Sequence, residues 1–257
     1  MTEVEPTIFY KHMKDFVLAD ASRPVFQHIW FDGEYGIATN THVLCAVKYK
    51  SEPHFETTDG TKVELPAQYP DWKKVVLKED GDKAKITLQK KTLEHLSDWI
   101  RLLKFVLQMT KEKGAKAAYQ IHIICLDRRG TDLFLYFIMT GCHAPVKVEM
   151  LSDLPDDGEH FKVFVNARYI LAALSFIKDT EAESVDWVFE KKSPLMQQYT
   201  KSLLGRMELR TEEMRVTITS IKINDTNSEL TRKLVDFIEK DDLQVADEKK
   251  DDLDFLD

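Results

Sequence analysis

Apolar residues recur at helical spacing three times along the chain, and strand-like runs follow each time. In residues 8–18, Phe9, Met13, Phe16 and Val17 share one side while Lys11 and Lys14 lie on another, which predicts a short amphipathic helix. After the Ser22-Arg23-Pro24 break, residues 25–32 and 35–49 are rich in aromatic and β-branched side chains. Asp32-Gly33 separates them, so they read as antiparallel strands joined by a tight turn.

The second helical stripe is the longest. Between 91 and 113, Leu93, Leu96, Ile100, Leu103, Val106 and Leu107 line one side, and Gly114 supplies a stop. Strands are predicted at 118–127, 131–141 and 144–150, with Arg129-Gly130 as a hairpin turn. The third round starts at Asn166, an N-cap for a helix over 167–179 whose Ile170, Leu171, Leu174 and Ile177 share a face. Strands at 184–190, 205–211 and 214–223 complete it. Helix followed by antiparallel strands, repeated three times, predicts an α+β fold with helices on one face of the sheets.

Charge adds a feature to the helices. Arg101, Lys104, Gln108 and Lys111 are spaced three, four and three apart, opposite the apolar stripe. Lys11 and Lys14 are three apart on the first helix, and Arg168 and Lys178 return to nearly the same side of the third. These rows are either ordinary solvated faces or helices turned towards phosphates.

The 257 residues, 43% hydrophobic and 31% charged, can bury a substantial core, and no apolar run is long enough for a membrane span. The first sixteen residues mix acids and bases where a signal peptide has a basic patch and an apolar run, so a cytoplasmic protein is expected. The net charge of −8 argues against coating by nucleic acid over the whole surface. Much of that acidity lies in 239–257, a stretch without steady period that reads as a disordered tail. Cys45, Cys125 and Cys142 are far apart, which suggests buried thiols rather than a disulfide framework or zinc site. No nucleotide-loop, zinc-protease or nucleophile-elbow pattern is present. Asp156-Asp157 sits in a Pro-Gly loop, and His42 lacks a neighbouring acid or ligand. No catalytic residue, metal site or cofactor is expected, and the chain is not read as an enzyme.

Five segments, in order along the chain, carry a family likeness. Arg23-Pro24-Val25-Phe26, Ile29-Trp30-Phe31 and 37–44 (IATNTHVL) resemble the middle domain of the bacterial DNA sliding clamp, the DNA polymerase III beta subunit, with its alanine-threonine-aspartate-glycine-histidine-arginine-leucine segment. Tyr69-Pro70-Asp71-Trp72-Lys73-Lys74-Val75 resembles that family's linker into its last domain. Residues 164–171, centred on Asn166, resemble the entry to its final helix. Ser193-Pro194-Leu195-Met196 and Thr219-Ser220-Ile221-Lys222-Ile223 resemble its serine-proline and terminal strands. The likeness covers roughly 8–223. It departs from the family in lacking the first domain and half of the middle one, and in lacking the glycine and arginine between Thr39 and Leu44.

The resemblance implies a DNA-clamp fold divided as a first unit over 1–65, a two-unit domain over 66–225 and an acidic tail over 226–257. It implies a processivity factor that encircles duplex DNA without reading sequence and tethers DNA polymerase or other replication proteins. Lys11, Lys14, Arg101, Lys104, Lys111, Arg168 and Lys178 would face DNA. A groove for short linear motifs would be built from Phe26, Thr39, Thr41, His42, Leu44, Pro70, Lys74, Val75, Ile218 and Ile221. A clamp loader and a homo-oligomeric ring are the further implied partners, with no membrane. The odd number of units keeps trimer, tetramer and monomer open, the last as a clamp-like peptide-binding or regulatory module. Leu230, Leu234, Phe237 and Ile238 could make a short helix, and Leu253-Asp254-Phe255-Leu256 resembles the acidic and apolar motifs that clamps bind.

Overall fold

The computed structural model describes residues 4–78, 83–111, 121–155, 160–191, 204–221 and 229–254. Ser193-Pro194-Leu195-Met196, Lys222-Ile223, Asp156-Asp157, Gly114 and Phe255-Leu256 lie outside the described residues.

The first unit is helix α1 (Pro6–Met13) followed by strands β1 (Ile29–Phe31), β2 (Tyr35–Thr39), β3 (Val43–Lys48), β4 (His54–Glu56) and β5 (Lys62–Val63). Proline opens α1, where a missing N–H costs nothing. Phe9, Met13 and Phe16 are fully buried, each contributing about 1.5–3 kcal/mol by burial. Phe9 lies so close to β2 that a Cβ on Gly36 would meet its ring at 2.5 Å, so only glycine fits there without a shift. The strand expected over 25–32 begins only at Ile29. Pro24–Gln27 instead forms a 3-10 turn, because Pro24 fixes φ and offers no N–H to a ladder.

The second unit contains β6 (Lys83–Gln89), a single helical turn α2 (Lys90–Leu93), α3 (Leu96–Met109), β7 (Ile123–Arg129), β8 (Asp132–Met139) and β9 (Ala144–Leu151). The long helix predicted over 91–113 is therefore broken at Glu94-His95. The third unit contains β10 (Phe161–Asn166), α4 (Ala167–Asp179), β11 (Ser184–Lys191), β12 (Leu204–Arg210) and β13 (Met214–Thr219). Asn166 caps α4 by accepting the Arg168 N–H.

The second and third units exchange their first strands. β6 pairs with β11, and β10 pairs with β7, which makes the two units one interlocked domain. β3 then adds the first unit through a ladder with β13, Val43 opposite Ile218. Among the described residues the result is a nine-stranded sheet, β5-β4-β1-β2-β3-β13-β12-β11-β6, and a four-stranded sheet, β10-β7-β8-β9. α1 and α3 both pack on α4. The main core lies between this helical row and the inner faces of both sheets.

Residues Glu229–Asp254, expected as an acidic tail with at most a short helix, form the long helix α5. Leu234, Val235 and Ile238 are buried against the outer face of the four-stranded sheet. That cover, invisible in the tail's own composition, is what orders it. Among the described residues no helix is long and apolar enough to cross a membrane.

Candidate functional site

The helical row carries the first set of candidate residues. Lys11, Lys14, Arg101, Lys104, Lys111, Arg168 and Lys178 are all exposed, and ion pairing divides them. Lys11 Nζ lies 2.5 Å from Asp179 Oδ2, and His12 Nε2 contacts the same oxygen at 2.7 Å, which clasps α1 to the end of α4. The Lys11 hydrogen bond, helped by His12, holds the Asp179 carboxyl below its ordinary range against the opposing effect of burial. Arg101 is paired with Asp98 one turn back. Lys14, Lys104 and Lys178 have no ion-pair partner among the described residues.

Lys14, Lys104 and Arg168 line one cavity of about 850 Å³, shared with Thr41 and His42 of the β2–β3 turn and with Asp15 and Asp20. The turn is built by its own side chains. Asn40 Oδ1 accepts the His42 and Val43 N–H groups, and Thr39 Oγ1 donates to the Val43 carbonyl at 2.7 Å. Thr41 sits at φ 78°, a left-handed conformation that a β-branched residue adopts only under strain. This is the position at which the resembled segment has glycine. The structure thus joins Thr41 and His42 to the helical face. His42 is otherwise held by its carbonyl, which accepts both the N–H and the hydroxyl of Thr219 at 2.9 Å.

The second set lies on the outer face of the nine-stranded sheet, where the 69–76 linker crosses it. Tyr69, Trp72 and Val76 bury Leu44 there to 2% exposure. Phe26 packs edge-on against Tyr69 with ring centroids 5.9 Å apart. Pro70, Lys74 and Val75 are exposed, Val75 to 38%. Phe26 is half-buried and Lys74 pairs with Asp71 at 3.5 Å, so Pro70, Val75 and part of Phe26 are accessible there, whereas Leu44 is core. Ile218 departs from the expected groove. It is fully buried on the opposite, helix-facing side with Val43, because side chains alternate along β13, and Thr217 takes the outer position. Ile221 lies elsewhere too, donating its N–H to the Phe164 carbonyl at 2.7 Å and packing with the cluster under α5.

What fixes the linker escaped the sequence reading. Glu208, fully buried on β12, accepts the Leu77 N–H at 2.9 Å, the Thr217 hydroxyl at 2.8 Å and the Arg215 Nε at 2.7 Å, and also pairs with Arg210. Arg210 and Arg215 in turn donate to the Leu77 carbonyl at 3.0 and 2.9 Å. Burial opposes the charge on Glu208, but the Leu77 N–H and the two guanidinium groups outweigh it and hold the carboxyl below its ordinary value. Arg206, paired with Glu190, reaches the Val75 carbonyl. No grouping of three or more potential metal ligands occurs among the described residues.

In sequence, no family model and no curated protein matches the chain. In three dimensions the DNA polymerase sliding clamp of Bacillus subtilis superposes with a TM-score of 0.59 over 84% of this chain and 62% of that one, at 14% identity. The chain has the sliding-clamp fold. The DNA polymerase III subunit beta of Pseudomonas aeruginosa gives a TM-score of 0.59 at 11% identity, over 86% of this chain and 66% of that one. The beta chain from Streptococcus pneumoniae gives 0.58 at 12% identity, over 87% and 67%. The chain thus spans about two thirds of the length of the clamps it is similar to. Within the clamp fold, the α1, α4 and α3 row is the helical layer and the two sheets are the wall behind it.

Proposed function

We propose that the chain is a sliding-clamp-like processivity factor, which encircles duplex DNA with its helical face inward and tethers a DNA polymerase or other replication proteins on its outer face. The observation that carries this reading is the side-by-side packing of α1, α4 and α3, with Lys14, Lys104 and Arg168 gathered on one cavity of that row. Contacts of lysine and arginine with phosphates position a protein on DNA without reading bases, as sliding requires. Residues 1–65 act as a half-domain beside the complete domain over 66–225, so closure of a ring needs several copies. Phe26, Pro70, Lys74 and Val75 supply the tethering patch, an apolar surface with a basic edge suited to a linear motif with one or two large apolar anchors.

Light scattering over a range of concentration tests the ring. A concentration-independent trimer or tetramer that stays on nicked circular DNA and slides off linear DNA supports it. A monomer at every concentration overturns it in favour of a second reading, a clamp-like peptide-binding module that does not encircle DNA. That second reading is favoured by the satisfaction of Lys11 and Arg101 by Asp179 and Asp98, and by the acids Asp15 and Asp20 at the cavity rim.

A further inference from the structure

The outer face of the four-stranded sheet is graded along its strands. Ile138 stands towards one end, and Phe164, Cys125, Tyr136 and Lys147 form one row across the four strands. Towards the other end Arg129 and Lys162 pair with the buried carboxylate of Asp127, and Lys147, which closes the row on β9, lies over the Phe134 ring at 4.4 Å. Helix α5 has the same gradient in the same order. Its Leu234, Val235 and Ile238 cover the apolar end, and Asp241 and Asp242 reach the basic one.

The fit at Asp241 is that of a carboxylate receptor. Its Oδ2 accepts the Tyr136 hydroxyl at 2.8 Å and Lys147 Nζ at 2.9 Å, and lies 2.8 Å from Arg129 Nη1 as an ion pair. Asp242 pairs with Arg129 at 2.9 Å and with Lys162. In the contact itself Arg129, Lys147 and Lys162 meet Asp127 of β7 and Asp241 and Asp242 of α5, so the helix supplies two of the three carboxylates that these cations engage. Arg129 and Lys162 also neutralise the buried Asp127, whereas Lys147 has no ion-pair partner among the described residues other than Asp241.

We propose that this face is a docking site for acidic amphipathic helices of partner proteins, and that α5 fills it in cis as a built-in competitor. The partner helix carries an apolar pair and a third apolar residue one turn on, as at Leu234, Val235 and Ile238, followed three residues later by adjacent carboxylates. Exchange is open at the charged end, where Asp242 is 39% exposed and Lys147 28%, so salt and a rival carboxylate reach the ion pairs. The site is on the opposite side of its sheet from the helical row, so it stands independently of the DNA reading.

The probe is a fluorescently labelled peptide of residues 229–254, titrated into the full chain at about 0.15 M salt. In the chain carrying Asp241→Lys and Asp242→Lys the cis helix loses its latch, and the peptide should bind at least about tenfold more tightly than to the unaltered chain. Adding Lys147→Glu should abolish that gain. Equal binding to both chains, indifference to Lys147→Glu, or capture of a single-stranded oligonucleotide in place of the peptide would each overturn the proposal. Amide hydrogen exchange on the same double variant supplies a check on folding: α5 should lose protection while β7 and β8 keep theirs. Loss of protection in all three would make α5 an indivisible part of the core and sink the idea.

Discussion

Leu77 donates its main-chain N–H to Glu208 Oε2 at 2.9 Å, joining positions 131 residues apart in the chain. The link ties the connection between β5 and β6 to β12. Arg210 and Arg215 close the knot from both sides, each bonded to Glu208 and to the Leu77 carbonyl. Removing one member of such a buried group leaves the others charged and unmatched. Glu208→Ala should therefore lower stability by roughly 3–5 kcal/mol, whereas the exposed Lys74→Ala should change it by less than about 0.5 kcal/mol, both read from urea unfolding. A Glu208→Ala variant as stable as its parent would show that the strap does not hold the linker.

The same residue sets an acid limit. Glu208 has its folded pKa below the ordinary 4.5, and Asp179 and Asp241 lie below their ordinary 3.8. A depressed carboxyl contributes stability that is complete above its unfolded pKa and is lost as pH falls through the folded value. Asp127 works in the other direction, since burial raises it despite Lys162 and Arg129, and its cost is relieved by protonation. Asp32, Asp59, Asp186 and Glu229 are depressed as well, so the lowered carboxyls outnumber Asp127 and predict a Tm that is level from neutral pH to about pH 5 and then falls below about pH 4. In Glu208→Gln the acid-side slope should be shallower. An unchanged slope would assign the acid sensitivity to other groups.

How much of this was legible in the sequence follows from the range of the interactions. α4 was readable because its cap, Asn166, and its apolar stripe are local. β6 was missed although Lys83–Gln89 alternates between outward and buried positions throughout, the period of a half-buried strand. The 3-10 turn at Pro24–Gln27 was masked by β-type residues whose preference one proline overrode. α5 was read as a solvated acidic tail because its counter-charges, Arg129, Lys147 and Lys162, come from three strands that only the fold assembles. Ile218 was placed in the groove by resemblance of segment order, which does not carry the side-chain alternation deciding which face a residue takes. The cations of the helical row were legible as candidates from spacing, but their pairing with Asp179 and Asp98 was legible only for the second, which is one turn away.

Thr41 stores strain in the turn between β2 and β3. Its φ of 78° suits glycine, and its side chain is exposed, so little packing disappears when it is removed. Thr41→Gly should raise stability by about 1 kcal/mol or less, the relief of strain being partly offset by the greater freedom of glycine in the unfolded chain. The check is a urea midpoint measured beside that of Thr41→Ala, which keeps a Cβ and should gain less. If both variants are less stable than the parent, the turn draws on an interaction of the Thr41 side chain, and the strain account fails.

Ion pairing on the helical row separates the cations that can engage phosphate from those already engaged. Lys14 and Lys104 are without an ion-pair partner among the described residues and border the same cavity, whereas Lys11 must leave Asp179 and Arg101 must leave Asp98 before either can meet DNA. Removing a cation that neutralises one phosphate reduces the slope of log affinity against log salt by about 0.9. Lys14→Ala and Lys104→Ala should each take nearly that amount from the slope measured by fluorescence anisotropy on duplex DNA, in a manner indifferent to sequence. Lys11→Ala should take little and should instead loosen α1 from α4, seen as faster amide exchange in α1. Slopes unchanged from the parent in all three variants would mean that the phosphates are met elsewhere than on this row, and the encircling reading would fall with them.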